Sequence, residues 1–480
     1  MKKIIFLLLI AHNLFAQDQP NIILILVDDL GHGEISYNQK DYFDTPNVDY
    51  LIENGLHFER FYVHSQCSPT RAALMTGQYP WRYGMNYSTV QPDDWGRGIP
   101  LDKTILPEKL KELGYNTAII GKWHLGNGPE RGPKTQGYFD YQFGLNQGHC
   151  DYFSYDVANN FDLMENGVSQ RRLAADKVYI TDLFKEKAID YIQQASNTGN
   201  PFFLYLPLTA PHGPYQCPID SLQYTPRKFE NHIDSVKYWM VKIMDNLVGE
   251  VINEVKVQNI EDNTIIIWGS DNGASFEEDS SSIRSNAPFK GFKGSYYEGG
   301  INVPFVFYFK NKIKTQKVEA DVAGHIVDIF PSLIGLAGGK VDDNCDGEDL
   351  SILWKGRQLP ERTIYLDVVP DRRIALFRNG FKLLKNPIGA GNRSISPKDG
   401  VFELYNVLKD PSENNSLYGK SLSIETKLIN EMKKAEKEFV NISYESEEDN
   451  WFQGYCSGMF HRLGFWKEKY PKEKFLPSKR

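Results

Sequence analysis

The most constraining feature of the chain is the run Asn21–Val27, apolar from its second residue, which leads directly into Asp28 and Asp29. A strand with one wet face alternates apolar and polar residues, whereas a continuous apolar run is typical of a strand buried on both faces of a parallel sheet. Three further runs of this kind lie at residues 116–120, 202–206 and 264–268. Helical patterns stand between them, at residues 107–113, 178–195 and 233–255. This alternation predicts an α/β fold with a mostly parallel central sheet flanked by helices.

The pattern changes after about residue 355. Short strand patterns separated by turns lie at residues 363–369, 373–378, 381–384 and 401–405, and a helical pattern lies at residues 424–439. A chain of 480 residues is long for one compact core of ordinary size. We therefore expect a large α/β domain over residues 17–355 and a smaller C-terminal α+β domain, with an antiparallel sheet, over residues 356–480.

The first sixteen residues have the composition of an export signal. Two lysines, Lys2 and Lys3, precede an apolar stretch at residues 4–10, and the small residue Ala16 precedes a polar segment. This pattern predicts a signal peptide over residues 1–16, and with it a periplasmic or secreted protein. The alternative is a buried first strand. No later segment is long and apolar enough to span a bilayer, so we do not expect a membrane-spanning protein.

The formal net charge of the chain is −8, and removal of the leader with its two lysines would lower it further. An acidic chain has no bulk attraction for nucleic acid or for anionic membranes, so we expect no nucleic-acid partner. If the substrate is an anion, the positive charge that binds it must be concentrated locally.

Carboxylates follow two of the predicted strands. Asp28 and Asp29 end the first run, and the run at residues 264–268 leads into Asp271 and Asn272. Ligands of open α/β sheets bind at the carboxyl ends of the strands. Adjacent ionised acids at a buried strand end repel each other unless a cation lies between them, and oxygen donors of this kind suit calcium or magnesium. The alternative for the second segment is a tight hairpin turn, which Asp-Asn-Gly favours.

Candidate basic groups lie in loops after the other strands. Lys122 and His124 belong to a Gly-Lys-Trp-His-Leu-Gly segment, His212 to Ala-Pro-His-Gly, and Lys293 precedes Glu-Gly-Gly. Residues 67–71 read Cys-Ser-Pro-Thr-Arg. Taken singly, a loop lysine or histidine is more often solvated than catalytic, and the five-residue segment could be a proline turn with an incidental cysteine. Their order along one chain is more informative.

This order resembles that of the type I sulfatases: Asp-Asp, Cys-x-Pro-x-Arg, Gly-Lys-Trp-His, a later histidine, Asp-Asn-Gly, then Lys before Glu-Gly-Gly. The resemblance covers most of residues 20–310 and extends weakly to residues 402–411. It implies an alkaline-phosphatase-like fold. It also implies that a formylglycine-generating maturation enzyme oxidises Cys67 to an aldehyde, whose hydrate attacks the sulfur of a sulfate ester. The second hydroxyl of the hydrate then loses its proton, so that sulfate leaves and the aldehyde returns.

The resemblance also assigns roles at the site. One divalent metal, calcium first and magnesium as the alternative, would be held by Asp28, Asp29, Asp271, Asn272 and the modified Cys67. Arg71 and Lys122 would stabilise the hydrated formylglycine, and His124 would bond its second hydroxyl. Lys293 and His212 would bind the sulfate, with His212 as the acid for the leaving oxygen because an imidazole titrates near neutral pH.

Within the family the chain is more similar to the arylsulfatase B type, which removes 4-sulfate from N-acetylgalactosamine. The segments that carry this similarity lie at residues 82–85, 100–102 and 151–155. They imply a 4-sulfated galactose or N-acetylgalactosamine unit of a sulfated oligo- or polysaccharide such as chondroitin, dermatan or carrageenan. The segment Gly31-His32-Gly33-Glu34 departs from the usual Gly-x-Gly-Asp, and residues 276–285 form an acidic, serine-rich loop, so the sugar stays open.

Two other functions compete with this interpretation. A phosphomonoesterase or phosphodiesterase of the same superfold would share the acids but use a serine or threonine nucleophile and usually two metals. A non-catalytic protein that binds sulfated glycans is the second alternative. Loop position alone suggests candidate sugar contacts at Trp95, Arg97, His149, Arg284, Lys290, Arg372 and Arg373.

The cysteine count fits an exported protein. If Cys67 is modified, Cys150, Cys217, Cys345 and Cys456 remain, and in an oxidising compartment they allow three disulfide pairings among which the sequence does not choose. There is no Cys-x-x-Cys segment, which argues against a structural zinc site.

Overall fold

A computed structural model describes residues 19–86, 98–126, 131–157, 160–229, 231–275, 285–369, 373–386, 400–420 and 423–439. Its strands are β1 Asn21–Val27, β2 Leu56–Phe58, β3 Phe61–Tyr62, β4 Asn116–Lys122, β5 Tyr141–Leu145, β6 Asp156–Val157, β7 Asn160–Phe161, β8 Leu163–Glu165, β9 Val168–Ser169, β10 Phe202–Pro207, β11 Thr264–Ser270, β12 Phe305–Phe309, β13 Gln316–Val318, β14 Gly324–His325, β15 Ile364–Val369, β16 Arg373–Arg378, β17 Phe381–Lys385 and β18 Phe402–Asn406. Its α-helices are Pro46–Asn54, Cys67–Thr76, Leu106–Glu112, Ile180–Ser196, Ile219–Leu222, His232–Val257, Glu298–Ile301, Ile329–Leu336, Ser351–Trp354 and Ser423–Glu438.

Ten strands form the central sheet, in the order β13-β2-β12-β11-β1-β10-β4-β5-β8-β9. Its middle is parallel: β1 pairs with β10 and β11, and β4 pairs with β10 and β5. Antiparallel pairs, such as β11 with β12 and β5 with β8, extend it on both sides. The predicted α/β architecture with a mostly parallel central sheet is confirmed.

Strand β1 shows why its sequence carries no polar alternation. Ile22, Leu24 and Leu26 pack into one apolar core, while Ile23, Ile25 and Val27 pack into the core on the opposite face of the sheet. Successive side chains of a strand point to opposite faces, so a strand covered on both sides needs apolar residues at every position.

The C-terminal part of the chain forms a separate four-stranded sheet in the order β15-β16-β17-β18, antiparallel throughout. The helix Ser423–Glu438 packs on it and buries Leu428, Met432 and Ala435, a spacing of four and three residues that places one helix face on the sheet. The predicted antiparallel sheet is confirmed. The domain boundary at residue 355 remains a proposal.

Loops at the carboxyl ends of the parallel strands gather the candidate site residues. Asp28 follows β1, Lys122 ends β4, and Asp271 follows β11. The Asp271-Asn272-Gly273 segment is not a tight hairpin, because β11 ends at Ser270 and its antiparallel neighbour β12 begins only at Phe305. The alternative of a hairpin turn at this segment is therefore wrong.

Two features used in the predictions, the leader at residues 1–16 and Cys456, lie outside the described residues. Within the described part of the chain Cys67, Cys150, Cys217 and Cys345 are all free thiols. None of the helices in that part is both long and apolar enough to cross a bilayer.

Candidate active site

Cys67 is the first residue of the helix Cys67–Thr76 and is buried. Its Sγ lies 3.2 Å from Nδ1 of His124, and the Oγ of Ser68 lies 3.3 Å from the same nitrogen. His124 has a left-handed backbone, with φ of 54°, in the loop that follows β4. Such backbone strain in a non-glycine residue persists only where the surrounding structure fixes it, which holds the imidazole beside the thiol.

Arg71 lies one helical turn after Cys67 and is fully buried. Its Nε and Nη2 donate to Oδ2 of Asp271 at 3.0 and 2.7 Å, and its Nη1 donates to the backbone oxygen of Lys122 at 3.2 Å. Residues four apart share one helix face, so the spacing from Cys67 to Arg71 places thiol and guanidinium on the same side of the helix. The arginine thereby connects the helix to two strand ends.

The first two aspartates bind different cations. Asp28 Oδ2 accepts from Lys122 Nζ at 2.6 Å, and both side chains are fully buried. Asp29 Oδ1 lies 2.6 Å from Lys293 Nζ and accepts from Asn272 Nδ2 at 2.7 Å. Asp29 also has a left-handed backbone, with φ of 62°.

Asp29 has two further polar neighbours through its Oδ2. Ser275 Oγ donates to this oxygen at 2.7 Å, and His212 Nε2 lies 3.6 Å from it. The imidazole of His212 is held at Nδ1, close to the backbone oxygen of Gly213. Asp29 thus joins the loops after β1, β10 and β11 at one point.

Two buried oxygens in this group have no hydrogen-bond partner within the described residues: Oδ1 of Asp28 and Oδ1 of Asn272. Unpaired buried acceptors are costly unless a ligand satisfies them. Single ligand atoms of Asp28, Cys67 and Asp271 lie within 4.8 Å of one another, as do those of Asp28, Asp29 and His212. The donors are mainly carboxylate and amide oxygens, so the residues fit a hard divalent cation.

The pKa shifts of the three acids also fit a bound cation. Burial raises the pKa of Asp28 to about 6, against the opposing effect of Lys122, and the negative charge of Asp29 adds to the rise. Burial and the charge of Asp28 raise the pKa of Asp271, although Arg71 opposes the rise. Burial acts to raise the pKa of Asp29 too, but Lys293 and His212 hold it well below its usual range. A cation among these acids would favour their ionised forms.

We call this group of residues the strand-end cluster; its members are Asp28, Asp29, Arg71, Lys122, Asp271, Asn272 and Lys293. The contacts above link all of them, and they place Cys67, His124 and His212 against it. The structure therefore brings every predicted catalytic and metal-binding residue into one site.

The candidate sugar contacts are placed differently. His149 lies beside His212, with ring centroids 5.6 Å apart. Lys290 donates to the backbone oxygen of Glu413 and lies 3.9 Å over the ring of Tyr297, and Arg373 is buried over the ring of Tyr296. The remaining four, Trp95, Arg97, Arg284 and Arg372, lie outside the described residues. Among the described candidates, His149 lies next to a residue of the site.

Sequence reasoning missed Ser275 and Ser68. Ser275 lies three residues after Asn272 and donates to Asp29, and Ser68 follows Cys67 and approaches His124. Serines in loops are too common to stand out by composition. The signal that could have found them is proximity in sequence to residues already assigned to the site.

A family model described as Sulfatase matches residues 20–339 of the chain. The chain belongs to the sulfatase family. N-acetylgalactosamine-6-sulfatase of Canis lupus familiaris is 32% identical to this sulfatase over 371 residues, covering 73% of the chain and 69% of the relative. Arylsulfatase J of Mus musculus is 31% identical over 366 residues; the alignment covers 73% of this chain and only 58% of that relative. The sulfatase is thus a sulfuric ester hydrolase.

Solved structures extend the similarity over almost the whole chain. The crystal structure of Ps i-CgsB matches the sulfatase with a TM-score of 0.79 and 29% identity, covering 93% of this chain and 99% of the other. Ps i-CgsB in complex with k-i-k-neocarrahexaose matches equally well. The predicted alkaline-phosphatase-like fold is confirmed. Sulfatases generally use a metal and formylglycine, and this sulfatase acts on sulfate esters of glycans.

Proposed function

We propose that this sulfatase removes sulfate from a galactose-type unit of an extracellular polysaccharide, with formylglycine at position 67 as nucleophile and one divalent cation. The observation that carries the proposal is the position of Cys67. Its Sγ lies within 4.8 Å of oxygens of Asp28 and Asp271, and two unpaired oxygens, on Asp28 and Asn272, lie in the same cluster. An attacking group at position 67 would lie next to both the buried cations and the residues proposed to bind the metal.

The residues that would hold the cation are Asp28, Asp29, Asp271 and Asn272, together with the modified residue 67. Calcium is the proposed ion because it accepts six to eight oxygen ligands in flexible geometry, whereas magnesium demands a near-ideal octahedron. When bound, the cation would polarise a sulfate oxygen and offset charge in the transition state.

The chain's own cations would hold the nucleophile. Arg71 and Lys122 bond Asp271 and Asp28 respectively, and both carboxylates have an oxygen within 4.8 Å of Cys67 Sγ. Because both are fully buried, their charges act in a medium that screens little, where preorganised electrostatic stabilisation is strongest. His124, 3.2 Å from Sγ of Cys67, is positioned to take a proton from a hydroxyl at that position.

Lys293 and His212 would contact the sulfate and the leaving oxygen. Burial lowers the pKa of His212 to about 3, with Asp29 opposing and Lys293 and Lys122 adding to the fall. The imidazole is thus neutral in the free protein, and it can act as the acid only when the negative charge of the bound ester raises this pKa.

The proposed substrate unit is a 4-sulfated galactose or N-acetylgalactosamine. The segments similar to arylsulfatase B favour the 4-position. The relatives named N-acetylgalactosamine-6-sulfatase favour the same sugar with the sulfate at the 6-position. The structure that binds k-i-k-neocarrahexaose supports a galactan. All three share a galactose-type ring.

The experiment that tests this proposal is sulfate release from a panel of defined substrates. The panel contains chondroitin disaccharides with one sulfate at the 4- or the 6-position, a sulfated carrageenan hexasaccharide and nitrophenyl sulfate, with nitrophenyl phosphate for the competing phosphatase. We expect the highest kcat/KM on a 4-sulfated galactose-type sugar and no turnover by Cys67→Ala. Preference for the 6-sulfated disaccharide would overturn only the assignment of the sulfate to the 4-position of the sugar. Preference for phosphate would overturn the sulfatase mechanism.

A second variant tests the acid. A positioned general acid contributes roughly 10²–10⁴-fold, and a nitrophenolate leaves with little protonation. His212→Ala should therefore lose more activity on a sugar sulfate than on nitrophenyl sulfate. Equal losses on the two substrates would leave His212 as a sulfate ligand only.

The proposed setting is outside the cytoplasm, after conversion of Cys67 by a formylglycine-generating enzyme. The proposal rests on the signal-like residues 1–16 and on the Cys-x-Pro-x-Arg segment. Comparison of periplasmic or secreted fractions with the cytosol, and of the mass of residue 67 in each, would test it.

A further inference from the structure

His149 differs from the other imidazoles of the site in the contacts of its ring. Its ring lies nearly parallel to that of His212, with an interplanar angle of 16° and 5.6 Å between centroids. Neither of its nitrogens takes part in a hydrogen bond within the part of the chain that the structure describes, and the residue is only half-buried. A polar side chain left unpaired at the edge of an active site is available to a ligand.

Contacts with the rest of the protein hold the loop that carries His149 in place. Gln147 N donates to Asp162 at 2.7 Å, and Cys150 is buried in the core. Gly148 is needed where it stands, because a Cβ there would lie 2.5 Å from Nε2 of His124. The absence of a side chain at position 148 lets the loop close over His124 and brings His149 to the site.

The same loop is joined to the loop that carries His212. Tyr152 OH donates to the backbone oxygens of Thr209 and His212, each at 2.8 Å. Gln216 accepts from Tyr152 N and donates to Asp151, each at 2.8 Å. These hydrogen bonds between the two loops hold the two imidazoles next to each other, with no need for a bond between their rings.

The surroundings keep His149 uncharged. Burial, the neighbouring His212 and the charge of Lys122 together hold the pKa of His149 well below its usual range. A neutral imidazole offers one donor and one acceptor, which suits a sugar hydroxyl better than a sulfate anion. In the proposed mechanism the sulfate has a cation of its own in Lys293.

We infer that His149 is a specificity-determining residue that hydrogen-bonds a hydroxyl of the sugar ring beside the ester oxygen held by His212. This inference rests on the proposed function and adds to it a recognition element on the leaving-group side. Two stacked rings held at one separation would bind neighbouring oxygens of a pyranose, while a flat aryl sulfate offers only the ester oxygen.

The test compares His149→Ala and His149→Gln with the parent enzyme on a saccharide and on nitrophenyl sulfate. For His149→Ala, the loss of kcat/KM on the best saccharide of the panel should exceed the loss on nitrophenyl sulfate by about tenfold, mainly through KM, as expected for one lost hydrogen bond. His149→Gln, which keeps a donor and an acceptor, should recover part of the loss. The matched control is His232→Ala, which changes an exposed histidine at the start of the helix His232–Val257. It should alter kcat/KM on neither substrate.

Binding gives a readout that does not depend on turnover. In the Cys67→Ala background, calorimetry with the sulfated carrageenan hexasaccharide should show about tenfold weaker binding when His149 is also changed to Ala, with the affinity for inorganic sulfate unchanged. Equal losses on saccharide and aryl sulfate, or equal saccharide affinity with and without His149, would overturn the inference by assigning His149 to support of His212. Absence of wild-type turnover on every sulfate ester is a separate result and would overturn the proposed function itself.

Discussion

Two groups of buried charges in this sulfatase look alike in composition but differ in completeness. The strand-end cluster joins three carboxylates to three cations at the carboxyl edge of the central sheet. A second group, the Glu298 cluster, joins Arg60, Glu298, Lys382 and Glu413 between the central domain and the C-terminal sheet. All four residues of the second group are buried.

The Glu298 cluster is closed. One oxygen of Glu298 accepts from Tyr62 and Lys382 at 2.9 and 2.8 Å, and the other accepts from Arg60 at 3.2 Å and from Asn302 at 3.1 Å. Glu413 accepts from the backbone of Glu298 at 2.7 Å, and its Oε1 lies 2.7 Å from Lys382 Nζ as an ion pair without hydrogen-bond alignment. Every charge in this cluster has a protein partner.

The strand-end cluster is open, because Oδ1 of Asp28 and Oδ1 of Asn272 accept no hydrogen bond from the described part of the chain. The contrast teaches that charge balance does not distinguish a structural network from a functional one, and that the difference lies in whether each buried acceptor has a hydrogen bond or a close cation of the protein. A mutation in the closed network should mainly lower stability, and a mutation in the open network should mainly lower activity and ligand binding.

The largest expected effect is on stability, from breaking the closed network. Lys382→Met leaves Glu298 and Glu413 buried with one cation fewer, and removal of one partner of a buried pair typically costs about 3–5 kcal/mol. The free energy of unfolding from urea denaturation measures this. Lys385→Met is the control, since Lys385 lies on the same strand, is more exposed and pairs with Glu436 at the surface, where such pairs contribute about 0–1 kcal/mol. Equal losses in the two variants would contradict the account.

The next effect is on catalysis, from the open cluster. Lys122→Met should lower kcat on the best substrate by roughly 10²–10³-fold, the usual cost of one preorganised charge-stabilising group. Its stability loss should be smaller than that of Lys382→Met, because Lys122 pairs with one buried carboxylate, Asp28, whereas Lys382 pairs with two, Glu298 and Glu413. A larger stability loss than in Lys382→Met, with kcat unchanged, would reverse the assignment of the two clusters.

Removal of the cation should affect only the open cluster. Chelation should lower activity and melting temperature together, and calcium at 100 times its Kd should restore about 2.7 kcal/mol of stability. Differential scanning calorimetry with and without chelator measures this shift. Lys382→Met should keep the calcium response, while Asp271→Asn should lose most of it. A stripped wild-type protein that gains neither stability nor activity from calcium or magnesium would refute the metal assignment.

The smallest effect is a pH dependence of the closed cluster. Burial raises the pKa of Glu413 from its ordinary 4.5 to about 7, with Lys382 opposing and Glu298 adding to the rise. An acid with a higher pKa in the folded state takes up a proton on folding, so stability falls as pH rises from about 4.5 through 7. Between pH 5 and pH 8 the wild type should lose about 1–2 kcal/mol more than Glu413→Gln does, by urea denaturation. Parallel pH profiles would contradict this.

The sequence predicted the core of the fold better than its edges. Strand β1 and its neighbours are continuous apolar runs because both faces are covered, and the predicted bounds of β1 agree with the structure. Towards the two edges of the sheet, strands β2, β9 and β13 have only two or three residues and mixed composition, so their sequences carry no strand signal. Pairing with neighbouring strands defines them.

The charged clusters also differ in how well the sequence predicted them. Ordered motifs predicted the positions of the strand-end cluster, because each motif follows a strand and strand ends meet at one edge. The Glu298 cluster was not predicted, since Arg60, Lys382 and Glu413 lie in three separate segments without a motif. Lys382 and Glu413 come to Glu298 with the C-terminal sheet, and Arg60 reaches it from the segment between β2 and β3.

The account rests on Cys67 as the precursor of the nucleophile at the centre of the open cluster. The most direct test is the mass of the peptide containing residue 67, measured together with sulfate release in protein made with and without a formylglycine-generating enzyme. The account predicts that turnover rises in proportion to the fraction of Cys67 converted from thiol to aldehyde, and that Cys67→Ala has none. Full turnover by protein whose residue 67 is entirely unmodified cysteine would contradict it.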